Sequence, residues 1–441
     1  MIRFNLRALL ACSTAIAGFA YVLDDANAGG FAIREQSAQF QGSSFAGNAA
    51  GGGLSSMYWN PAALGQIGSG LTSESHFAGI FGQAQNTVTS FNAVPVAPPA
   101  PVGSGDLAAP ALVGASYYGY RLTEQLSVGL SMNSGFGLTT KPRNLNYLGA
   151  ELGRTTKLFT LNAAPTVAYK IMPGITIAAG GQIQYADGKL RVATGGPPGP
   201  TSEFAGDDFA FGFTAGILIE PSASTSIGLG YRSRMTHTLE GRFATAGGAP
   251  FLAYIGAEVD LDLPDIVTLS IRQAIAPNMR LLGTIEWSNW SEFQDLTLVS
   301  TAPGTVAGAG AVPAGVPFAA IDANWSDGWF FSIGGEYDYN DMITLRAGAA
   351  YEISPVDNPT KRFTSIPDND RVWLSAGATV KVSHNIALDL AYTHVFIEDG
   401  DFLRTSLGGN VIGGYSEAQV DIFAASLKTT WGAKPVLEPM K

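Results

Sequence analysis

Between Ile343 and Ile353 the chain alternates: Ile343, Leu345, Ala347, Ala349, Tyr351 and Ile353 are apolar, and Thr344, Arg346, Gly348 and Glu352 stand among them. An extended strand sends successive side chains to opposite faces, so this spacing makes one apolar and one polar face. No helix, with its period of 3.6, sorts residues this way. The pattern recurs at 386–396, where Ile386, Leu388, Leu390, Tyr392 and Phe396 oppose Ala387, Asp389 and Thr393. It recurs again at 227–242, with Ile227, Leu229, Tyr231, Met235 and Leu239 on one face. Gly228, Gly230, Arg232, Arg234, Thr236, Glu240 and Arg242 take the other. About fourteen strands are predicted, near 70–82, 111–120, 125–140, 156–170, 174–191, 207–220, 224–242, 255–273, 278–299, 325–338, 341–353, 370–382, 385–398 and 415–431.

The connections sort by length. Those after even-numbered strands are tight, such as Met172-Pro173-Gly174, Ala276-Pro277-Asn278 and Asn340-Asp341. Those after odd-numbered strands run long and rich in Gly, Pro, Ala and Ser, notably 83–110, 192–206, 300–324 and 399–414. An antiparallel barrel in an outer membrane needs this arrangement, with turns on the periplasmic side and loops outside. A sandwich or propeller has no reason for it. The expected fold is therefore all-β, a transmembrane antiparallel barrel of about fourteen strands.

The start of the chain sets the compartment. Arg3 and Arg7 precede an apolar stretch from Ala8 to Val22, and Ala26-Asn27-Ala28 fits a signal-peptidase site. Residues 1–28 are expected to leave as a signal peptide, taking Cys12, the only cysteine. No later stretch approaches a transmembrane helix, yet only 14% of residues are charged and 54 are glycine. A spanning strand needs only every second residue apolar, which reconciles export and membrane residence without a long apolar run. A formal charge of −11 offers no basic stripe for nucleic acid. The four histidines, His76, His237, His384 and His394, are scattered, and no nucleophile elbow or phosphate loop is present. Neither enzyme activity nor a cofactor is expected.

An arginine facing lipid at mid-bilayer costs about 2–4 kcal/mol, which turns Arg232, Arg234 and Arg242 toward the lumen. Trp287, Trp290, Tyr351 and Trp431 suit an aromatic girdle at the membrane boundary. Residues 29–69 lack the strand pattern and contain Gly51-Gly52-Gly53. A barrel this wide is not filled by its own wall, so the segment either plugs it or hangs free in the periplasm. The wall then spans 70–431, and Pro435 and Pro439 mark 432–441 as a short tail.

The run Gly30-Phe31-Ala32-Ile33 through Gly42-Ser43-Ser44-Phe45-Ala46-Gly47, then Asn60-Pro61-Ala62, resembles the N-terminal hatch of FadL-type transporters. Similarity continues, in order, at Ser134-Gly135-Phe136-Gly137-Leu138, Tyr231-Arg232-Ser233, Leu263-Pro264-Asp265, Trp290-Ser291-Glu292-Phe293 and Ser365 to Arg371. The resemblance spans nearly the whole exported chain. It implies a fourteen-stranded barrel of the Gram-negative outer membrane, closed by a hatch and passing long-chain fatty acids or other hydrophobic molecules inward by passive diffusion. It also implies an inward kink in the third strand at Gly135, Phe136 and Gly137, with Asn60, Pro61 and Ala62 as the hatch contact. The glycines themselves permit a bulge there.

Two departures qualify the ligand. Ser326 stands where some relatives carry a basic residue before the tenth strand, and a basic residue of the fifth strand is displaced to Arg191. Both weaken the case for a carboxylate ligand, and relatives on this scaffold import aromatic hydrocarbons. The lumen or ligand-contact candidates are Arg191, Arg232, Arg234, Arg242, Arg346 and Arg371. Loop residues Phe91, Val94, Val96, Phe243, Phe251 and Phe318 are placed to gather an apolar molecule. A monomer in contact with outer-membrane lipid is expected, with a general porin or a structural surface barrel as rival readings.

Overall fold

The computed structural model describes residues 30–197, 199–245, 253–306 and 310–432. The expected signal peptide, Phe251 and residues 433–441 of the tail lie outside the described residues. The wall strands are β1 (Leu71–Phe91), β2 (Ala111–Arg121), β3 (Leu126–Asn133 with Gly137–Thr140), β4 (Thr155–Met172), β5 (Ile175–Ala193), β6 (Thr201–Ser222) and β7 (Thr225–Arg232 with Met235–Thr245). The ring continues through β8 (Ala253–Leu263 with Ile266–Ala276), β9 (Met279–Ser288 with Asp295–Ser300) and β10 (Pro317–Asp322 with Gly328–Asp338). It ends with β11 (Ile343–Ile353), β12 (Arg371–Ser383), β13 (Ile386–Ile397) and β14 (Val411–Trp431). Every neighbour pair is antiparallel, and β1 meets β14 from Leu71↔Trp431 to Phe91↔Ile412, which closes the barrel. Among the described residues no helix is long and apolar enough to cross a membrane.

The alternation seen in the sequence is the alternation of the wall. On β13, Leu388, Leu390 and Tyr392 are exposed while Asp389, Ala391 and Thr393 are buried inside. On β11, Leu345, Tyr351 and Ile353 face out and Thr344, Ala350 and Glu352 face in. The 21 residues of β1 extend roughly 70 Å at 3.3 Å per residue, well beyond the apolar band of about 25 Å. The barrel therefore stands clear of the bilayer at its long-loop end.

Four adjacent strands are interrupted at one height: β7 at 233–234, β8 at 264–265, β9 at 289–294 and β10 at 323–327. Pro264 offers no N–H to a ladder, and Asp265 instead accepts from Tyr231 Oη (2.6 Å) and the Arg234 amide (3.1 Å). In β7 and β8 the two-residue gap turns the pleat over. Below it, Gly228, Gly230 and Arg232 of β7 face inward, as do Thr268 and Ser270 of β8. Above it, the inward residues are Met235, His237 and Leu239, opposite Val259, Leu261 and Leu263. This corrects the sequence reading. Arg234 and Arg242 point outward, with Thr236 and Glu240, and Met235 and Leu239 are interior. Trp290 also leaves the expected girdle: it is buried inside, 2% exposed.

Residues 30–67 are almost wholly buried against inward-facing wall residues. Their bonds reach Tyr117 of β2, Ile217 of β6, Ser226 of β7, Ser270 of β8, Thr284 of β9, Ser332 of β10, Ser375 of β12 and Ile422 of β14. Local chemistry shapes the segment. Ser37 caps the short helix Ala38–Gln41, and Asn60 caps the 3-10 turn Pro61–Gln66, where Pro61 lacks the N–H that a first turn leaves unpaired anyway. Gly228 and Gly230 let it approach the wall. A Cβ on either would lie 1.8 Å from a backbone oxygen, of Ala49 and Trp59 respectively.

Candidate ligand site and the break in the third strand

β3 pairs with β2 only up to Ser116↔Met132. Beyond it the chain bulges at Ser134–Phe136 and rejoins β4 at Gly137↔Phe159. There Phe136 bridges to Ala32 of the N-terminal segment rather than to β2. The Ile33 amide donates to Gly135 O (2.9 Å) and the Gly137 amide to Phe31 O (2.9 Å). Ala111–Ala115 of β2 consequently pair with β1 on one edge only among the described pairings. The unpaired stretch is roughly 13 Å long. It ends below at Ser116↔Met132 and above at the Ala108↔Thr140 bridge.

A largely apolar cavity of about 110 Å³ lies above the level where the strands turn over. Phe31, Leu138, Leu239, Leu261, Phe293 and Phe363 line it, while Lys157 and Lys189, cross-strand partners on β4 and β5 at its height, share the outward face of Arg242. Phe31 joins cavity to break. Its ring lies 4.7 Å from Trp290, 5.5 Å from Phe293, 5.7 Å from Trp325 and 6.3 Å from Phe136. Asp368 holds this end of the segment, accepting from the Gly30 amide (2.7 Å), Arg371 Nε (3.0 Å) and Ser354 Oγ (2.9 Å).

Charges crowd the neighbouring stretch. Arg34 pairs with Glu286 (2.6 Å) and Glu352 (3.3 Å) and lies over the Phe330 ring. Trp373 Nε1 donates to Glu352 (3.1 Å). Glu35 is the exception: both carboxyl oxygens are buried without a hydrogen-bond partner. Burial pushes its carboxyl up to about 7, because the charged form loses water and gains little in return.

The structure disperses the predicted site residues. Arg232 is buried over the Tyr58 ring and approaches Asn133 Oδ1 at 3.4 Å, beside the end of the first half of β3. Arg371 belongs to the Asp368 cluster, and Arg346 sits lower, between Glu336 (2.8 Å) and Asp389 (3.8 Å). Arg191 is bound to Glu203, Arg234 pairs outside with Glu292 (2.7 Å), and Arg242 lies over Tyr254. Ser326 is bonded by Lys361 Nζ (3.0 Å), so a cation stands beside the position where the sequence lacked one.

The expected contact between Asn60-Pro61-Ala62 and the kink is also corrected. Asn60 Nδ2 is spent on Ala49 O and Ile217 O, which seats the tripeptide on β6 and β7. Gly135, Phe136 and Gly137 are met instead by Phe31, Ala32, Ile33 and Tyr58. Sequence reasoning missed Phe31, Arg34, Glu35, Glu286 and Glu352 as site residues. Glu286 and Glu352 carried a signal, being acids among apolar neighbours on alternating strands.

A closed fourteen-stranded barrel with no spanning helix among the described residues, its inward face polar at membrane level, defines a β-barrel of the outer membrane. The chain belongs to the outer membrane protein transport protein family (OMPP1/FadL/TodX), whose pattern matches residues 19–431. It is 27% identical to a long-chain fatty acid transport protein of Escherichia coli O6:H1, over 72% of this chain and 74% of that one. It is 26% identical to an outer membrane protein of Neisseria meningitidis serogroup B, over 89% and 91%. Among solved structures it resembles a Pseudomonas aeruginosa FadL homologue, with TM-score 0.80, 21% identity and coverage of 91% and 100%. It also resembles the Pseudomonas putida toluene transporter TodX, with TM-score 0.64, 14% identity and coverage of 91% and 100%.

Proposed function

We propose that this barrel passes long-chain fatty acids or similar hydrophobic molecules across the outer membrane by passive diffusion, as a monomer. Residues 1–28 serve export, 29–69 act as the hatch, 70–431 form the wall and 432–441 a short tail. The observation that carries the reading is Phe31, shared by the apolar cavity and the broken third strand. Each buried methylene contributes about 0.8 kcal/mol, so capture needs no external energy. The substrate leaves chemically unchanged.

Aromatic hydrocarbons are the second reading, favoured by cavity size. An engineered cavity of about 150 Å³ takes up benzene. The 110 Å³ here suits a single ring. Uptake of labelled oleate and labelled toluene by a host lacking its own channel separates the two. Oleate entry that falls in a Phe31→Ala variant supports the first. Toluene entry alone supports the second, and entry of neither overturns both.

A further inference from the structure

Arg232 is a buried cation without an anion. It is 6% exposed, yet it forms no ion pair among the described residues. Its Nη1 and Nη2 reach the Tyr58 carbonyl and Asn133 Oδ1, both at 3.4 Å, longer than a charge-assisted bond of about 2.7–2.9 Å. Other arginines of the interior are matched: Arg34 with Glu286 and Glu352, Arg371 with Asp368, and Arg272, Arg280 and Arg346 with Glu336. Glu286 and Glu35, the acids that act on Tyr58, do not compensate Arg232. Glu286 is bound to Arg34, and neither oxygen of Glu35 has a hydrogen-bond partner. We infer that Arg232 receives the carboxylate of an acyl amphiphile at the break in the third strand.

A lone buried charge is costly, because its lost hydration goes unreplaced. The Tyr58 ring, 4.4 Å from the guanidinium carbon, returns part of it. Stacking occupies a face of the guanidinium and leaves the five N–H donors in its plane, where one carboxylate accepts two at once. Amides stand beside it. Asn133 closes the first half of β3, its Oδ1 lies 3.5 Å from Asn162 Nδ2, and Asn162 Oδ1 is buried without a partner. Place in the fold supplies the second argument. Arg232 ends the first half of β7, and Tyr58 links it to the bulge, since a Cβ on Gly135 would lie 2.9 Å from Tyr58 Oη. The next residue, Phe136, meets Phe31 at the cup. Headgroup and tail sites therefore adjoin at consecutive positions of the bulge.

The inference rests on the transport reading, and the test separates the two. Entry of labelled oleate and labelled oleyl alcohol, alike in chain and different in charge, is measured in a host lacking its own channel. Arg232→Gln is expected to lower oleate entry at least tenfold more than oleyl alcohol entry, and Arg232→Lys to recover most of that loss. Equal losses of the two would make Arg232 a prop for Tyr58 and overturn the inference, as would unchanged oleate entry. Entry of neither molecule in wild type overturns the transport of acyl amphiphiles itself. If Arg232→Gln does not assemble, full-length protein labelled with 15N-arginine decides. Oleate, and not oleyl alcohol, should shift one side-chain Nε resonance that is missing from the Arg232→Lys spectrum. No such shift overturns the inference.

Discussion

His76 Nδ1 accepts the Ala38 backbone N–H at 3.1 Å, so the imidazole of β1 fastens the first turn of the helix Ala38–Gln41. Its other nitrogen lies 3.2 Å from Glu74, whose two oxygens accept from the Leu54 and Ser55 amides at 2.9 and 2.8 Å. One pair of side chains thus ties two separate turns of the N-terminal segment to the wall. His76→Leu should leave the Ala38 amide buried without a partner, a cost of about 1–3 kcal/mol. Hydrogen exchange at residues 37–41 should speed up accordingly while the barrel stays assembled. Unchanged exchange would mean the bond carries no load.

Glu35 gives the segment a pH dependence. Its carboxyl is raised to about 7, so the buried state favours the proton. For a raised acid, the stabilisation is complete below the ordinary carboxylate value near 4.3 and is lost as pH climbs through about 7. Protection of residues 30–36 against exchange should therefore be greater at pH 5 than at pH 8. Glu35→Gln should abolish the difference, and a variant that keeps the wild-type pH profile would rule Glu35 out as its source.

Gly228 and Gly230 test whether the segment closes the lumen. With no room for a Cβ at either position, Gly230→Val should displace the Trp59 region while sparing the wall ladder. Ion conductance in planar bilayers is expected to rise several-fold, toward that of a 30–69 deletion. Conductance equal to wild type in both would favour a barrel blocked by something else.

The third strand offers a pairwise comparison. Ile33→Pro removes the N–H that reaches Gly135 O, whereas Pro61→Gly acts on residues seated at β6 and β7. Uptake should change markedly with Ile33→Pro and with Gly137→Trp, whose side chain would meet Ile33. Pro61→Gly should act less. The reverse ranking would restore Asn60-Pro61-Ala62 as the brace.

Cysteine labelling checks the turned-over pleat. A cysteine at Arg232 should be shielded from bulky aqueous reagents by Tyr58, while cysteines at Arg234 and Arg242 should react freely from outside. Shielding at all three would mean the pleat runs unbroken.

The wall was legible because each strand is solvated by lipid on one side only, and a misplaced arginine near the bilayer midplane is costly. Most of its turns were legible because chain reversals such as Met172-Pro173-Gly174 and Ala276-Pro277-Asn278 carry Pro, Gly or Asn. The parity of the Ser233–Arg234 and Pro264–Asp265 breaks was not, because it depends on the bond from Tyr231 to Asp265, across strands. Phe31 and Arg34 were equally hidden. Their partners, Trp290, Trp325, Glu286 and Glu352, lie more than 250 positions away, and no local pattern announces such a meeting. The N-terminal residues that could be read, Asn60 and Pro61, are those whose shape is set by their immediate neighbours.

The half-step at 233–234 and 264–265 divides one pair of strands into two storeys with separate vocabularies. In the lower storey an inward position must accept Thr, Ser, Gly or Arg, and in the upper one the same strands line a hydrophobic cup with Met, Leu and Val. Substitutions that reshape the cup therefore leave the bilayer-level scaffold untouched. A lineage of such barrels can exchange its cargo by rewriting one floor, without renegotiating the terms on which the other sits in its membrane.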